Sequence, residues 1–132
     1  MNINLLHIIL LWMLSGWVGV SAGEAECLAP ILYSEAQGES IEGVVAIGEA
    51  TQSRAEKVGI SICKLKGVSR KPIPHRIAHY YVKFARSILT DTSKRVVGLA
   101  DSWNTGKKPA YSGSITAQVG NHVFYVMNGD IK

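Results

Sequence analysis

The chain has 132 residues, with 14 Lys and Arg against 10 Asp and Glu, and a formal net charge of +4. This length corresponds to about one domain, and the absence of internal repeats, low-complexity stretches and linkers excludes a repeat or multidomain architecture. A basic domain suits a negatively charged polymer, although charge alone does not separate the cell wall from nucleic acid.

The first 22 residues contain no Lys, Arg, Asp or Glu and include an apolar run from Ile8 to Val20. This run is typical of a signal-peptide core and is short for a membrane span, which needs about 20 residues. Small residues at Val20-Ser21-Ala22 predict cleavage after Ala22. Because the segment lacks a basic start, a weak signal anchor remains the alternative. We expect residues 1–22 to be the signal peptide and 23–132 the folded domain.

Export predicts a disulfide, because the two cysteines, Cys27 and Cys63, form an even pair in an oxidising compartment. Closing this loop is worth about 3–4 kcal/mol in the chain-entropy model. Two free buried thiols are the alternative.

Two helices are predicted in the first half of the domain. Residues 25–37 carry an apolar stripe at helical spacing, and Gly38 is a helix stop. A second helix begins after the N-cap Ser40 and continues to about Glu56. One of its faces collects Val44, Ile47, Gly48 and Thr51, where glycine would let a neighbouring helix approach closely.

The second half changes in character. Residues 57–74 are punctuated by Gly and Pro and predict a loop, residues 75–90 predict a third helix, and residues 91–113 predict an extended loop. The β-rich runs Ile115–Val119 and His122–Met127 flank Gly120-Asn121, a two-residue turn signal. The prediction is an α+β domain, mainly helical with a small C-terminal β-hairpin.

The strongest candidate for chemistry is Glu35, in the segment Tyr33-Ser34-Glu35-Ala36-Gln37-Gly38-Glu39. A carboxyl group near the negative end of a helix dipole is disfavoured as an anion, and a general acid must carry a proton. A solvated surface glutamate is the alternative from spacing alone. Glu39 would allow a two-carboxylate hydrolase, but we favour it as a supporting partner.

These residues carry a family resemblance. From Cys27 to Tyr125 the chain resembles the cell-wall hydrolases typified by the spore-cortex-lytic enzymes of the SleB/CwlJ type. That family has Tyr-x-Glu-Ala-x-Gly-Glu, matched at Tyr33–Glu39, then Glu-Gly and an apolar helix ending in an arginine, matched at Glu42-Gly43 and Arg54. Its later Gly-x-His-x-Phe-Tyr is matched at Gly120–Tyr125.

The resemblance implies a lysozyme-like fold and a lytic transglycosylase that cleaves the bond between N-acetylmuramic acid and N-acetylglucosamine. The implied product is a 1,6-anhydro sugar, made with one catalytic carboxyl group, here Glu35. It implies peptidoglycan glycan strands as the partner, with no cofactor, no metal and no nucleic acid. We expect a monomer in the periplasm, cell wall or extracellular space, touching a membrane only through an uncleaved N-terminal segment.

Other residues are assigned around Glu35. Trp103, in a loop rich in Gly, Ser and Asn, is either a sugar platform or a loop anchor. Because His122 and Tyr125 face opposite sides of a strand, we expect Tyr125 near Glu35 and His122 as a structural donor. Arg54 is also assigned a structural role. The predicted substrate-binding set is Glu39, Asp101, Trp103, Asn104 and Tyr125.

The chain departs from the family at Ser53, at Gly67-Val68-Ser69-Arg70 and at Ala100–Asn104. The last two segments change the predicted walls of the sugar groove.

Three alternatives stay open: a muramidase-type hydrolase or phage endolysin, a non-catalytic wall-binding or inhibitor protein on the same fold, and a zinc peptidase or amidase. The third would use His75 and His79, whose spacing suits metal ligands, but the intervening residues lack the glutamate of a zinc protease motif. We favour a polar helix face for these two residues.

Overall fold

The computed structural model describes residues 22–91 and 96–129. These comprise three α-helices, a short 3₁₀ helix and three β-strands, which confirms the predicted α+β class. The elements are α1 (Ala22–Glu35), α2 (Ile41–Val58), the 3₁₀ helix (Ile62–Lys64), α3 (His75–Thr90), β1 (Ser102–Thr105), β2 (Gly113–Val119) and β3 (His122–Met127). The predicted signal peptide lies outside the described residues except for Ala22, where α1 begins. Within the described ranges, no helix is long and apolar enough to cross a membrane.

Helix α1 lies at the centre of the core. The predicted stripe is confirmed, because Leu28, Ile31 and Leu32 are completely buried. Burial of three such side chains stabilises the fold by several kcal/mol, at roughly 1.5–3 kcal/mol each. The helix ends at Glu35, slightly before the predicted limit, and Gly38 follows with φ = 83°, a left-handed conformation that favours glycine.

Helix α2 begins as predicted at Ser40, whose side chain accepts a hydrogen bond from the backbone N–H of Gly43. Its packing against α3 depends on Gly48. A Cβ atom at that position would lie 2.7 Å from Cδ1 of Ile88, so glycine is needed for the close approach of the two helices. This confirms the predicted role of Gly48.

The predicted disulfide joins Cys27 of α1 to Cys63 of the 3₁₀ helix, with a Cα–Cα distance of 5.0 Å. A carboxylate reinforces the same junction, since Glu24 accepts hydrogen bonds from the hydroxyl of Ser61 and the backbone N–H of Ile62. The start of the segment between α2 and α3 is therefore tied to the N-terminal half of α1.

The sheet is antiparallel with the order β1-β3-β2, so β3 is the central strand. The predicted hairpin is confirmed: Val119 pairs with His122 across the Gly120-Asn121 turn, and Gly120 has φ = 56°. Val123, Phe124 and Tyr125 are all buried, so both faces of β3 are covered.

Strand β1 corrects the prediction of an unbroken loop over residues 91–113. It pairs along β3 from Ser102 opposite Tyr125 to Thr105 opposite His122. Its sequence, Ser-Trp-Asn-Thr, has no apolar alternation because β1 is a short edge strand with a single large side chain directed at the helices. Through this pairing, Trp103 reaches the C-terminal end of α1.

Candidate functional site

Glu35 lies at the last position of α1, half-buried, and its carboxylate accepts two hydrogen bonds from different parts of the fold. The backbone N–H of Ser69 donates to Oε1 at 2.7 Å, and the indole Nε1 of Trp103 donates to Oε2 at 3.2 Å. Each carboxylate oxygen has two lone pairs, so each keeps capacity for a further hydrogen bond. The carboxylate is thus oriented without being saturated.

The Ser69 donor belongs to the segment between the 3₁₀ helix and α3. This segment lies against the C-terminal end of α1. A second contact holds it there, because the backbone N–H of Lys71 donates a close hydrogen bond to Oγ of Ser34. The guanidinium of Arg70 connects the same segment to the 3₁₀ helix, because it donates to the carbonyls of Ile62 and Leu65. These contacts give the segment a defined path beside Glu35.

The guanidinium of Arg54 packs against the indole ring of Trp103. Its guanidinium carbon lies 5.1 Å from the centre of the indole ring, within the range of a cation–π contact. Its Nε donates to the carbonyl of Asp101 at 2.9 Å, and Nη1 donates to the carbonyl of Gly67 at 3.3 Å. Arg54 therefore links the last turns of α2 to the two segments that supply the donors to Glu35.

The electrostatics of Arg54 reflect this position. Loss of solvent around the half-buried guanidinium lowers its pKa, and interactions with Asp101, Tyr125 and Glu35 oppose that change. Because an arginine side chain stays protonated in proteins, a permanent positive charge lies near the Glu35 carboxylate.

Asp101 was expected to face the sugar groove, but its side chain is only 2% exposed. Its carboxylate accepts from Lys57 Nζ at 2.7 Å, from Ser102 Oγ at 2.9 Å and from the backbone N–H of Met127 at 3.1 Å. Burial acts to raise its pKa, but these three hydrogen bonds together hold the pKa below its ordinary value. The structure places Asp101 as a brace between α2 and the sheet.

Asn104 and Tyr125 were both predicted to bind substrate, but their side chains are engaged within the protein. The amide of Asn104 donates to the carbonyls of Thr105 and Lys108 and accepts from the backbone N–H of Ala110, which shapes the loop after β1. Tyr125 is 1% exposed. Asn104 is therefore engaged within its own loop, Tyr125 is packed inside the fold, and the substrate-binding role of both stays a prediction.

Glu39 is paired with His122, whose Nδ1 lies 2.9 Å from Oε1. The two atoms are close, but they lack the alignment of a hydrogen bond. Two glycines make room for this carboxylate: a Cβ at Gly43 would lie 3.0 Å from Oε2, and one at Gly120 would lie 2.5 Å from it. Glu39 thus joins the start of α2 to the β2–β3 turn, and its roles as a supporting partner and as a member of the substrate-binding set both stay predictions.

A pocket of about 280 Å³ opens between α2 and α3 beside Glu39. Its lining is mostly apolar and aromatic, formed by Glu39, Ile41, Val44, Tyr80, Tyr81 and Phe84. The ring of Tyr81 makes an edge contact with Tyr33, with the centroids 5.4 Å apart. Tyr33 precedes Glu35 on α1, so the pocket adjoins the end of the helix that carries the candidate carboxylate.

His75 and His79, the candidate metal ligands, are both exposed on α3. Among residues 22–91 and 96–129, no three His, Cys, Asp or Glu side chains converge in a way that could hold a metal ion.

The structure brings three of the sequence-predicted residues together, namely Glu35, Arg54 and Trp103. Sequence reasoning did not identify the backbone groups that complete this arrangement, the N–H of Ser69 and the carbonyl of Gly67. The available signal was that Gly67–Arg70 occupies the place of a family segment expected to line the groove.

No protein-family model matches the sequence, and no curated protein matches it. Solved structures do match. The catalytic domain of the Bacillus cereus SleB protein is 18% identical, with a TM-score of 0.58 over 81% of this chain and 92% of that one. The catalytic domain of the germination-specific lytic transglycosylase SleB from Bacillus anthracis is 17% identical, with a TM-score of 0.56 over 81% and 97%. The fold is therefore that of the SleB catalytic domain, as the sequence resemblance led us to expect.

Proposed function

We propose that the protein is a peptidoglycan lytic transglycosylase that cleaves the bond between N-acetylmuramic acid and N-acetylglucosamine with Glu35 as its single catalytic carboxyl group. Two kinds of evidence support this proposal. The fold matches a domain described as a lytic transglycosylase in Bacillus anthracis. The carboxylate that the sequence singles out lies at the meeting point of α1, β1 and the segment before α3.

The observation that carries the proposal is the pair of N–H donors on Glu35, from Ser69 and Trp103. A group that gives and then takes a proton must be held in one orientation within reach of a bound substrate. Two donors from separate segments provide this orientation, and the remaining lone pairs are available for proton transfer.

In the first step, protonated Glu35 gives its proton to the glycosidic oxygen as the bond from that oxygen to C1 of the muramic residue breaks. The electron pair of this bond leaves with the N-acetylglucosamine oxygen, and positive charge develops at C1. The ionised carboxylate that results is held by the same two N–H donors, so no rearrangement of the site is needed.

In the second step, the Glu35 carboxylate removes the proton from the 6-hydroxyl of the muramic residue, and O6 forms a bond to C1. The product is the 1,6-anhydro sugar, and Glu35 is again protonated for the next cycle. Water is not consumed, so no second carboxylate is required to activate it.

The neighbouring carboxylates fit this single-carboxyl scheme. In the described part of the chain, Glu39 is paired with His122, and Asp101 is bonded to Lys57, Ser102 and Met127. A general base for water would need a carboxylate free to face the substrate. Because both carboxylates are already engaged by other groups of the protein, we favour the transglycosylase over a muramidase that activates water with a second acid.

We also propose that the protein works outside the cytoplasm as a monomer, after removal of residues 1–22. The disulfide between Cys27 and Cys63 supports export, because such bonds persist in oxidising compartments.

The test is Glu35→Gln, which keeps the size of the side chain and its ability to accept hydrogen bonds. We expect release of muropeptides from purified peptidoglycan to fall by about 100- to 10,000-fold. Glu42→Gln is the matched control, because Glu42 is exposed in the first turn of α2, and its activity should be that of the parent. Unchanged release by a folded Glu35→Gln variant would leave the non-catalytic wall-binding protein as the better description of the chain.

A further inference from the structure

Positive charge is concentrated in one part of this chain. Residues 57–90 contain eight Lys and Arg and no Asp or Glu. The rest of the chain, with six Lys and Arg and ten Asp and Glu, carries a net charge of −4. The net charge of +4 is therefore the sum of a strongly basic segment and an acidic remainder of the chain.

Helix α3 displays this charge on one side. Arg76, Lys83 and Arg86 are all exposed, and their spacing of seven and three residues places them on the same face of the helix. We call these three residues the basic face. His79 lies between them and is also exposed.

The basic face is not compensated by neighbouring acids. Across residues 22–91 and 96–129, no carboxylate lies within ion-pair distance of Arg76, Lys83 or Arg86. Holding like charges on one helix face without partners costs stability, so an anionic partner would relieve repulsion as well as add attraction.

The basic face is continuous with the candidate active site along the chain. Helix α3 begins at His75, directly after the segment whose backbone contacts Glu35 through Ser69 and Ser34 through Lys71. The side chain of Lys71 is exposed. Arg70 donates to two neutral carbonyls, so its charge also remains uncompensated.

A membrane surface fits this face less well than a charged polymer. A helix that lies in a bilayer interface needs an apolar side to bury there. In α3 that side is occupied, because Ala85, Ile88 and Leu89 are buried in the core. The exposed side carries three cationic side chains and His79 beside one aromatic residue, Tyr80, which is 64% exposed. Charge therefore outweighs apolar surface on this side, which suits a hydrated polyanion.

We propose that the basic face is a docking surface for the carboxylates of the peptide stems carried by the glycan strand that Glu35 cleaves. This inference rests on the proposed function, which puts peptidoglycan at the site. Stems that project from disaccharides beyond the cleaved bond would extend the contact along α3. Binding there holds the strand in place while the sugar at Glu35 reacts.

The experiment measures co-sedimentation of the full-length chain with purified wall that has been stripped of phosphodiester polymers. Every protein carries Glu35→Gln, so the wall stays intact and the result does not depend on catalysis. Lys83→Glu with Arg86→Glu reverses two charges of the basic face. Lys107→Glu with Lys108→Glu, in the loop after β1, changes the net charge equally and is the matched control.

We expect the reversal on α3 to weaken binding by about tenfold or more, and the control to weaken it by less than about twofold. The difference should disappear in about 0.5 M salt, which shortens the Debye length to a few ångströms. It should also disappear on wall whose stem carboxylates have been converted to neutral amides, a treatment that keeps the cross-links and therefore the insolubility of the wall. Lys83→Gln with Arg86→Gln gives a milder version of the test, expected to fall between parent and reversal, if the reversed variant is less stable to urea.

Four results would overturn the proposal. Equal weakening of wall binding by both double variants would show that binding depends on the net charge of the protein and not on the basic face. The same α3 dependence on wall with amidated carboxylates would show that the stem carboxylates are not the ligand. Binding restricted to wall that retains phosphodiester polymers would identify phosphate as the ligand. Equal α3 dependence with vesicles of anionic phospholipid would identify a membrane surface.

Discussion

The indole of Trp103 stands between Glu35 and Arg54, donating a hydrogen bond to the carboxylate and presenting its ring to the guanidinium. This relationship ties β1 to the ends of α1 and α2, as the loop-anchor interpretation of Trp103 requires, while its role as a sugar platform stays a prediction.

Trp103→Phe keeps an aromatic ring for Arg54 but removes the N–H donor to Glu35. A hydrogen bond to a charged group contributes about 1.5–3 kcal/mol, so we expect kcat on purified peptidoglycan to fall about tenfold or more. The melting temperature should also fall by several degrees, because the same hydrogen bond is present in the folded protein before substrate binds, so kcat is measured well below the onset of unfolding. A kcat equal to that of the parent would show that the indole N–H does not orient the carboxylate.

Arg54→Met removes the guanidinium and retains much of the side-chain length. Because it abolishes the hydrogen bonds to the carbonyls of Asp101 and Gly67, we expect the free energy of unfolding to fall by about 2–3 kcal/mol in urea titrations. Arg54→Lys keeps the charge but not the two-pronged geometry, and it should recover only part of the loss. Full recovery by lysine would mean that charge alone matters at this position.

Asp101 predicts how stability depends on pH. Its pKa in the folded protein is lower than in the unfolded chain, so its ionised form stabilises the fold above about pH 4, the ordinary value for aspartate. That contribution is lost as the pH falls through the lowered pKa. We expect Asp101→Asn to be about 1–3 kcal/mol less stable at pH 7 and to lose less stability than the parent on further acidification. Parallel curves of unfolding free energy against pH would contradict this role.

Cys27→Ser with Cys63→Ser should lower the free energy of unfolding by about 3–4 kcal/mol, by releasing the constraint on the unfolded chain. Reduction of the parent protein with a thiol should lower its urea midpoint to that of the double variant. A midpoint unaffected by the thiol would show that the disulfide adds nothing to stability.

Glu39→Gln and His122→Gln together form a double-mutant cycle. Because the two side chains are in direct contact and nearly buried, their effects on unfolding should be non-additive by about 0.5–3 kcal/mol. KM should change little in either variant if Glu39 only supports the site. Strictly additive effects, with a large rise in KM for Glu39→Gln alone, would instead assign Glu39 to substrate binding.

The sequence predicted the helices well because each carries its own signal. Leu28, Ile31 and Leu32 form the stripe of α1, and Ser40 caps α2. Strand β1 could not be predicted in this way, since Ser102–Thr105 becomes a strand only by pairing with β3.

The residues of the candidate site likewise differ in whether the sequence could identify them. Glu35, Arg54 and Trp103 were identifiable as side chains with chemical roles. The N–H of Ser69 was not, because a backbone donor has no residue-type signature. Asp101 looked available from its polar loop sequence, but folding turns it inward toward Lys57, a long-range contact that no local pattern encodes.

In the proposed reaction Glu35 alone, acting as acid and then base, releases an anhydro sugar. Mass spectrometry of muropeptides from purified peptidoglycan, digested in parallel by the parent and by Glu35→Gln, tests it most directly. We expect 1,6-anhydro-muropeptides from the parent, about 18 Da lighter than the reducing sugars of a hydrolase because no water is added, and almost none from the variant. Reducing-end products from the parent, or the same products from a folded Glu35→Gln variant, would contradict it.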